Sequence, residues 1–246
     1  MKTKNFALLL CLLIGFLSAQ AKPKPKLLVF SKTMGFRHDC IPVGKLAMIK
    51  LGEENGFAVD TTEDASVFTP DNLKQYAAIL FLSTTGNVLD DTQQAAMEGY
   101  IRGGGGFMGI HAATDTEYDW PWYNKLVGAW FLSHPKQQEA TLLVVDKNNA
   151  ATKHLPEKWI RKDEWYNFKD INPDIHVLVK IDETSYEGGK NGDNHPMCWY
   201  HDFDGGRAFY TEMGHTKESY ADPLYLQHVL GGLQYAMGAG HTKKKH

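Results

Sequence analysis

The chain has 246 residues, with 26 Lys and Arg against 29 Asp and Glu, 11 His and 3 Cys. That mildly acidic balance excludes a nucleic-acid partner, because phosphate neutralisation needs a basic face. With 43% apolar residues there is enough core for one α/β domain, and no close cysteine pair points to thiolate metal binding or redox chemistry.

Lys2 and Lys4 precede an apolar run from Phe6 to Leu17, and Ala19-Gln20-Ala21 follows as a small-residue cleavage signal. This pattern is that of a secretory signal peptide. Residues 1–21 are therefore expected to be a leader and residues 22–246 a single domain, periplasmic or secreted, with its core at about 26–238. The apolar run continues past Cys11, which disfavours a lipoprotein. Without the leader the balance is 24 bases against 29 acids, a formal −5. No transmembrane segment is expected in the mature chain. Lys243-Lys244-Lys245 reads as a solvated end. A single Cys40–Cys198 disulfide stays open in an oxidising compartment, and two unpaired, mostly buried cysteines are the favoured reading.

Lys26 to Phe30 reads as a strand, followed by a polar loop through Asp39. Ile41 to Asn55 fits a helix with Ile41, Leu46, Met48 and Ile49 as its apolar residues and Gly56 as its stop. Phe57 to Asp60 is a second strand, Thr69-Pro70 a helix start, and Ala77 to Leu82 a fully apolar third strand. Asp90 with Gln93 makes a capping-box pattern for a helix ending at Arg102. Gly103 to Gly106 then lead into Phe107 to Ile110, a short apolar run suited to a strand buried on both faces. Strands alternating with helices predict a parallel sheet with helices on both faces.

The second half reads differently. A short helix is expected from Trp120 to Val127, with strands at Glu139 to Val145, His176 to Ile181, Met197 to His201 and Arg207 to Thr211. Asp204-Gly205-Gly206 reads as a hairpin turn. Asp222-Pro223 opens a last helix carrying Leu226, Val229, Leu230 and Leu233 at core spacing.

The chemistry gathers in loops. His111 follows the fourth strand and His38 the first, so both belong at the carboxyl edge of the sheet, where open α/β folds bind ligands. Asp115, four residues on, could share a helical face with His111 and fix its tautomer. His134, the run Asp163-Glu164-Trp165-Tyr166, His195 and His215 add imidazoles, carboxylates and aromatics. Glu164 beside aromatic residues is expected to have a raised pKa suited to acid–base work. Trp120, Trp122 and Tyr123 read equally as core or as a sugar-stacking surface. No Gly-x-Ser-x-Gly elbow, Gly-x-Gly-x-x-Gly turn, phosphate-loop lysine or His-Glu-x-x-His motif is present. No cofactor is announced, and a divalent metal on scattered His and Asp/Glu ligands stays open.

Four segments carry a family resemblance: Met34-Gly35-Phe36-Arg37-His38, Gly109 to Asp115, Asp163-Glu164-Trp165-Tyr166 and Gly206 to Thr216. In this order and separation they resemble the trehalose-utilization (ThuA-like) family over about Lys26 to Gly238. The resemblance implies a class I glutamine amidotransferase-like, flavodoxin-like α/β fold. True amidotransferases carry a nucleophilic Cys at the turn after the glycine-rich strand. Here that turn holds His111, and imidazole cannot take the thiolate's part. The fold and pocket are thus expected without the amidase activity. One departure is Asn149-Ala150-Ala151-Thr152, where the family is expected to show His-Pro-Ala-Thr; loss of that His lowers the expectation of a metal.

The resemblance implies carbohydrate catabolism, with a glycoside or 3-keto-glycoside as substrate and hydrolysis, elimination or isomerisation as the reaction. His111, Asp115, Glu164 and His215 are the expected catalytic residues. Arg37, His38, Trp120, Tyr123, His134, Tyr166, His195, Trp199, Arg207 and Tyr210 are the expected sugar-binding residues, with Arg207 or Tyr210 stabilising an enolate. A non-catalytic carbohydrate-binding protein and a metal-dependent hydrolase are the competing readings.

Overall fold

A computed structural model describes residues 24–238; the leader reading at residues 1–21 and the Lys243–Lys245 tail lie outside the described residues. The first half alternates as its sequence predicts: β1 (Lys26–Phe30), α1 (Ile41–Asn55), β2 (Ala58–Thr62), α2 (Pro70–Leu73), β3 (Ala78–Leu82), α3 (Asp91–Arg102) and β4 (Gly106–Ile110). The capping box is formed in both directions, Gln93 N donating to Asp90 Oδ1 at 2.9 Å and Asp90 N to Gln93 Oε1 at 3.0 Å. Such a reciprocal cap satisfies two backbone donors that a helix start leaves free. At Gly56 the backbone turns left-handed (φ 77°) and ends α1.

The second half contains α4 (Pro121–Val127), β5 (Trp130–Ser133), β6 (Gln138–Val144), β7 (Lys158–Asp163), β8 (Asn167–Lys169), β9 (His176–Ile181), β10 (Pro196–Phe203), β11 (Gly206–Thr211) and α5 (Pro223–Ala236). Strands β5, β7 and β8 were not anticipated. β7 reads Lys-Trp-Ile-Arg-Lys-Asp and buries only Trp159 and Asp163, so its charged outer face hides it from an apolar search. β5 and β8 pair only with each other, as a short ribbon outside the main sheet.

The main sheet has the order β2-β1-β3-β4-β11-β10-β9-β6-β7. β2, β1, β3, β4 and β11 are mutually parallel; each later neighbour pairs antiparallel. The topology has a consequence for function. Four reversals from β11 to β7 restore the original direction, so β7 delivers Asp163 and Glu164 to the same edge as Phe30, Leu82, Ile110 and Thr211. One edge therefore collects loops from both halves.

Beneath that edge the core is tightly built. Phe81 touches the rings of Phe30, Phe68, Phe107 and Tyr123, and Trp199 stacks on Tyr210 at 4.4 Å. A Cβ on Gly106 would collide with the backbone carbonyl of Ala236, so β4 and α5 meet backbone to backbone. Cys40 and Cys198 are both buried and free. No helix among the described residues is long and apolar enough to cross a membrane.

Candidate active site

Four loops at the carboxyl edge bring His38, His111, Glu164 and His215 together. One donor atom from each lies within 4.8 Å of the others. His38 comes from the loop after β1, His111 from the end of β4, Glu164 from the end of β7 and His215 from the loop after β11.

The sequence holds each in place by a separate device. At His111 the chain leaves β4 in a left-handed conformation (φ 51°) and enters a 3-10 turn, His111–Thr114. That conformation is costly for a residue with a Cβ and persists only where surroundings enforce it. Here they do: Tyr210 Oη donates to the His111 carbonyl at 2.7 Å, and the His111 Nδ1–H donates to the Glu212 carbonyl at 2.9 Å. His215 is set by Asp163, whose buried carboxylate accepts from the Gly214 and His215 backbone N–H groups at 3.0 and 3.2 Å. Gly214 has φ 117°, and a Cβ there would strike the Tyr225 hydroxyl. The loop carrying His38 is tied to its neighbour by a Thr33–Thr85 bridge and by Gly35 N donating to Thr85 Oγ1 at 3.2 Å.

Glu164 is the hub. Its Oε2 lies 3.1 Å from His215 Nδ1 and 3.5 Å from His111 Nε2, while its Oε1 lies 3.2 Å from His134 Nδ1. His111 Nε2 and His215 Nδ1 are 3.0 Å apart. The His38 ring stands edge-on to both, with centroids at 4.8 and 5.1 Å, and its buried Nδ1 has no hydrogen-bond partner among the described residues. Tyr166 forms a wall against His111, with centroids at 4.3 Å, and against His134. His134 and Gln137 are exposed and mark the solvent side, Gln137 reaching His215 Nε2 at 2.7 Å.

The electrostatics differ from the sequence expectation at Glu164. Burial raises its pKa, but hydrogen bonds from His111 and His215 outweigh burial and hold it below the usual carboxylate range. Glu164 is thus a buried anion, not a poised acid. For His111, burial opposes protonation, yet Glu164 and Glu212 raise its pKa to about 10. Burial pushes Glu212 up to about 7 and, with the nearby His111 and His215, pushes His38 down to about 2.

Of the expected catalytic set, His111, Glu164 and His215 converge and Asp115 takes another role. Its carboxylate accepts from the Tyr118 hydroxyl at 2.6 Å, and Glu212 takes the place beside His111 Nδ1 that Asp115 was expected to fill. The 3-10 turn removes the helical spacing on which that pairing depended.

Among the expected sugar contacts, His38, His134 and Tyr166 lie against the cluster. Arg37 points away into a bidentate pair with Glu63. Tyr123, Trp199 and Tyr210 are fully buried, bonded to the carbonyls of Ala113, Val127 and His111. Trp120 bonds Glu98 and stacks with Trp122, which bonds Asp204 in the β10–β11 turn. His195 stands behind the wall, bonding the Tyr166 carbonyl and Glu183. Arg207 pairs in register with Gly106, at the opposite edge from His111, and donates to the carbonyls of Ala236 and Gly104. It cannot stabilise an enolate at His111.

Glu212, Asp163 and Gln137 touch the cluster and were not assigned to the site from the sequence. A charged residue ending the buried run Ala208–Thr211 and followed by Met-Gly-His was a usable signal for Glu212; Gln137, in a polar loop, had none. The turn at His111 has the strand-to-tight-turn form of a nucleophile elbow without a nucleophile. Neither cysteine replaces it: burial pushes the Cys40 thiol up to about 12 and raises the Cys198 thiol well above its ordinary value.

The ThuA family model, described as trehalose utilisation, matches residues 26–236. The chain belongs to the ThuA family. Solved structures agree. A ThuA-like protein from Bacteroides uniformis shares 25% identity at a TM-score of 0.76, covering 92% of this chain and 96% of that one. A ThuA-like protein from Parabacteroides merdae shares 22% identity at a TM-score of 0.73, covering 92% and 93%. A β-galactosidase from Bacillus circulans is similar in fold only, at 10% identity and a TM-score of 0.55, over 31% of its chain and 89% of this one. Comparison with curated protein sequences gives no match. The ThuA family places the chain in carbohydrate metabolism, on the fold that the resemblance implied.

Proposed function

We propose that this ThuA protein is an enzyme of carbohydrate breakdown that acts on a glycoside bearing a ring carbonyl, a 3-keto-glycoside, by moving a proton next to that carbonyl. The observation that carries the reading is the His134–Glu164 pair: an exposed imidazole at the pocket mouth, backed at 3.2 Å by a buried carboxylate. Such a pair puts a proton acceptor within reach of a substrate at the mouth, with a carboxylate behind it. A keto group at C3 acidifies the C2–H bond. His134 takes that proton, the electron pair moves into an enolate, and collapse of the enolate forms a C1–C2 double bond as the C1–O bond breaks. The proton then returns to the departing aglycone oxygen. Isomerisation begins with the same abstraction. The imidazole wall of His38, His111 and His215 offers the electron-poor surface that a developing oxyanion needs. A leader at residues 1–21 puts this activity in the periplasm or outside the cell.

Purified protein supplied with 3-keto-trehalose and a panel of 3-keto-glucosides tests the reading. Turnover is expected, with His134→Ala lowering kcat at least about 100-fold. Absence of product across the panel overturns it, and sugar binding without product makes the chain a carbohydrate-binding protein instead.

A further inference from the structure

We propose that His38, His111, His215 and one oxygen of Glu164 form a binding site for a single divalent transition-metal ion of the zinc class. Spacing is the first argument. In a tetrahedral site with metal–ligand bonds of about 2.0–2.1 Å, neighbouring donor atoms stand about 3.3 Å apart. The edges here are 3.0 Å (His111 Nε2 to His215 Nδ1), 3.1 Å (His215 Nδ1 to Glu164 Oε2) and 3.5 Å (His111 Nε2 to Glu164 Oε2).

Proton placement is the second. A carbonyl can only accept, so the His111 Nδ1 that bonds the Glu212 carbonyl carries a hydrogen, and in the neutral ring Nε2 turns a lone pair inward. Gln137 Nε2 lies 2.7 Å from His215 Nε2; a 180° turn of that amide, which exchanges its oxygen and nitrogen, lets Gln137 accept from His215 Nε2–H and leaves a second lone pair on Nδ1, facing the first. Two imidazole lone pairs and a carboxylate oxygen then converge on one point. A cation satisfies all three.

His38 supplies an independent observation. It is only 3% exposed, places a nitrogen within 4.8 Å of the other donors, and carries a buried Nδ1 without a partner among the described residues. Buried polar groups of that kind call for an explanation.

The surroundings of three of the four ligands follow the pattern of a metal centre, in which a ligand is oriented by a second residue. Glu212 holds His111 through its carbonyl at 2.9 Å, with its carboxylate at 3.6 Å. His134 Nδ1, bonded to the Pro135 carbonyl at 2.8 Å, lies 3.2 Å from the other oxygen of Glu164, and Asp163 fixes the backbone of His215. Three imidazoles with one carboxylate suit Zn²⁺, Co²⁺ or Ni²⁺ and offer too few oxygens for Ca²⁺ or Mg²⁺. The Asn149-Ala150-Ala151-Thr152 departure does not weaken the site. Asn149 closes its own turn onto Ala151 N, Ala151 rests against His228 of α5, and no ligand comes from that stretch. The ion site stands without the keto-sugar reading; only its role as the electrophile behind that carbonyl depends on it.

The test uses untagged full-length protein, purified without chelator, then stripped by dialysis against one. Titration with Zn²⁺ by calorimetry and with Co²⁺ by visible absorption is expected to show one saturable ion per chain, with Co²⁺ d–d bands. His111→Ala, His215→Ala and Glu164→Gln are each expected to weaken binding at least about 100-fold, beyond the range of an outer-shell loss. His176→Ala, at an exposed histidine, leaves it unchanged. Circular dichroism establishes that each variant is folded, and the wild-type Co²⁺ spectrum reads the site without any substitution. No saturable binding by stripped wild type overturns the proposal, as does unweakened binding in folded Glu164→Gln. Ion binding without turnover of any keto-sugar overturns the substrate reading and leaves the site standing.

Discussion

His111 and His228 are equally buried and differ in almost everything else. His228 bonds the Ala151 carbonyl through Nδ1 at 2.8 Å and meets Thr211 Oγ1 through Nε2 at 3.1 Å. Both its nitrogens are used by the fold, and burial lowers its pKa to about 4. His195 behaves similarly behind the pocket, placed between the Tyr166 carbonyl and Glu183, and burial lowers its pKa as well. His111 shares the full burial but faces Glu164 and Glu212, and these carboxylates reverse the sign of its shift. Burial alone neutralises an imidazole; a neighbouring buried carboxylate makes it hold a cation, either a proton or a metal ion. What sets these histidines apart is what the second nitrogen faces rather than burial.

The sharpest way to break this comparison is to remove the carboxylate. Glu164→Gln keeps the shape and deletes the charge, so turnover of a keto-glycoside is expected to fall about 10³-fold while the fold is kept. Steady-state kinetics beside a thermal melt reads both. A variant with near-wild-type kcat would mean that the cluster is packing, like His228. The converse substitution, His195→Leu, leaves the buried Tyr166 carbonyl without its partner, while Glu183 keeps the Asn191 and Gly192 N–H groups. A stability loss of about 2–4 kcal/mol in denaturant melts is expected. If His195→Leu instead abolishes activity at unchanged stability, His195 belongs to the site.

The pH dependence separates the two kinds of histidine with the sign fixed. His228 has a folded pKa near 4, below the unfolded value near 6.5. The unfolded chain therefore binds the proton first as pH falls. The contribution of neutral His228 is complete above about pH 6.5 and is lost progressively toward pH 4, on the order of 3 kcal/mol. Denaturant melts of wild type and His228→Gln between pH 7 and pH 4 are expected to converge on the acid side. Parallel curves would remove His228 as an acid-sensitive group.

Much of the parallel half was readable because β1, β3 and β4 are apolar runs punctuated by caps that form as written, such as Asp90 with Gln93. The site was readable where chain order alone assigns the edge: His38 and His111 follow parallel strands. Glu164 and His215 were singled out as residues, but their meeting depends on β7 reaching the same edge through four antiparallel steps, and β7 itself carries too much charge to announce a strand. The roles of Asp115 and Glu212 were exchanged because four-residue spacing implies a shared face only in an α-helix, and the turn at His111 is 3-10. The aromatic residues misled in another way. Trp120, Tyr123, Trp199 and Tyr210 have the composition of a sugar platform, yet their polar atoms bond the protein itself.

That last distinction yields the smallest expected effects. Arg207 and Trp122 were candidates for the sugar, and both sit away from Glu164: Arg207 holds the Ala236 and Gly104 carbonyls, and Trp122 reaches Asp204. Arg207→Gln removes hydrogen bonds that are only partly sheltered from water and is expected to cost about 1 kcal/mol. Trp122→Ala loses ring contacts with Trp120 and Phe203, at a cost of about 1–2 kcal/mol. Neither is expected to move kcat or KM more than about twofold, because neither residue meets the reacting atoms. A tenfold rise in KM for Trp122→Ala, at unchanged kcat, would mean that substrate extends from Glu164 to the β10–β11 turn; the comparison would then have to include a second, distant sugar subsite rather than one pocket at one edge of the sheet.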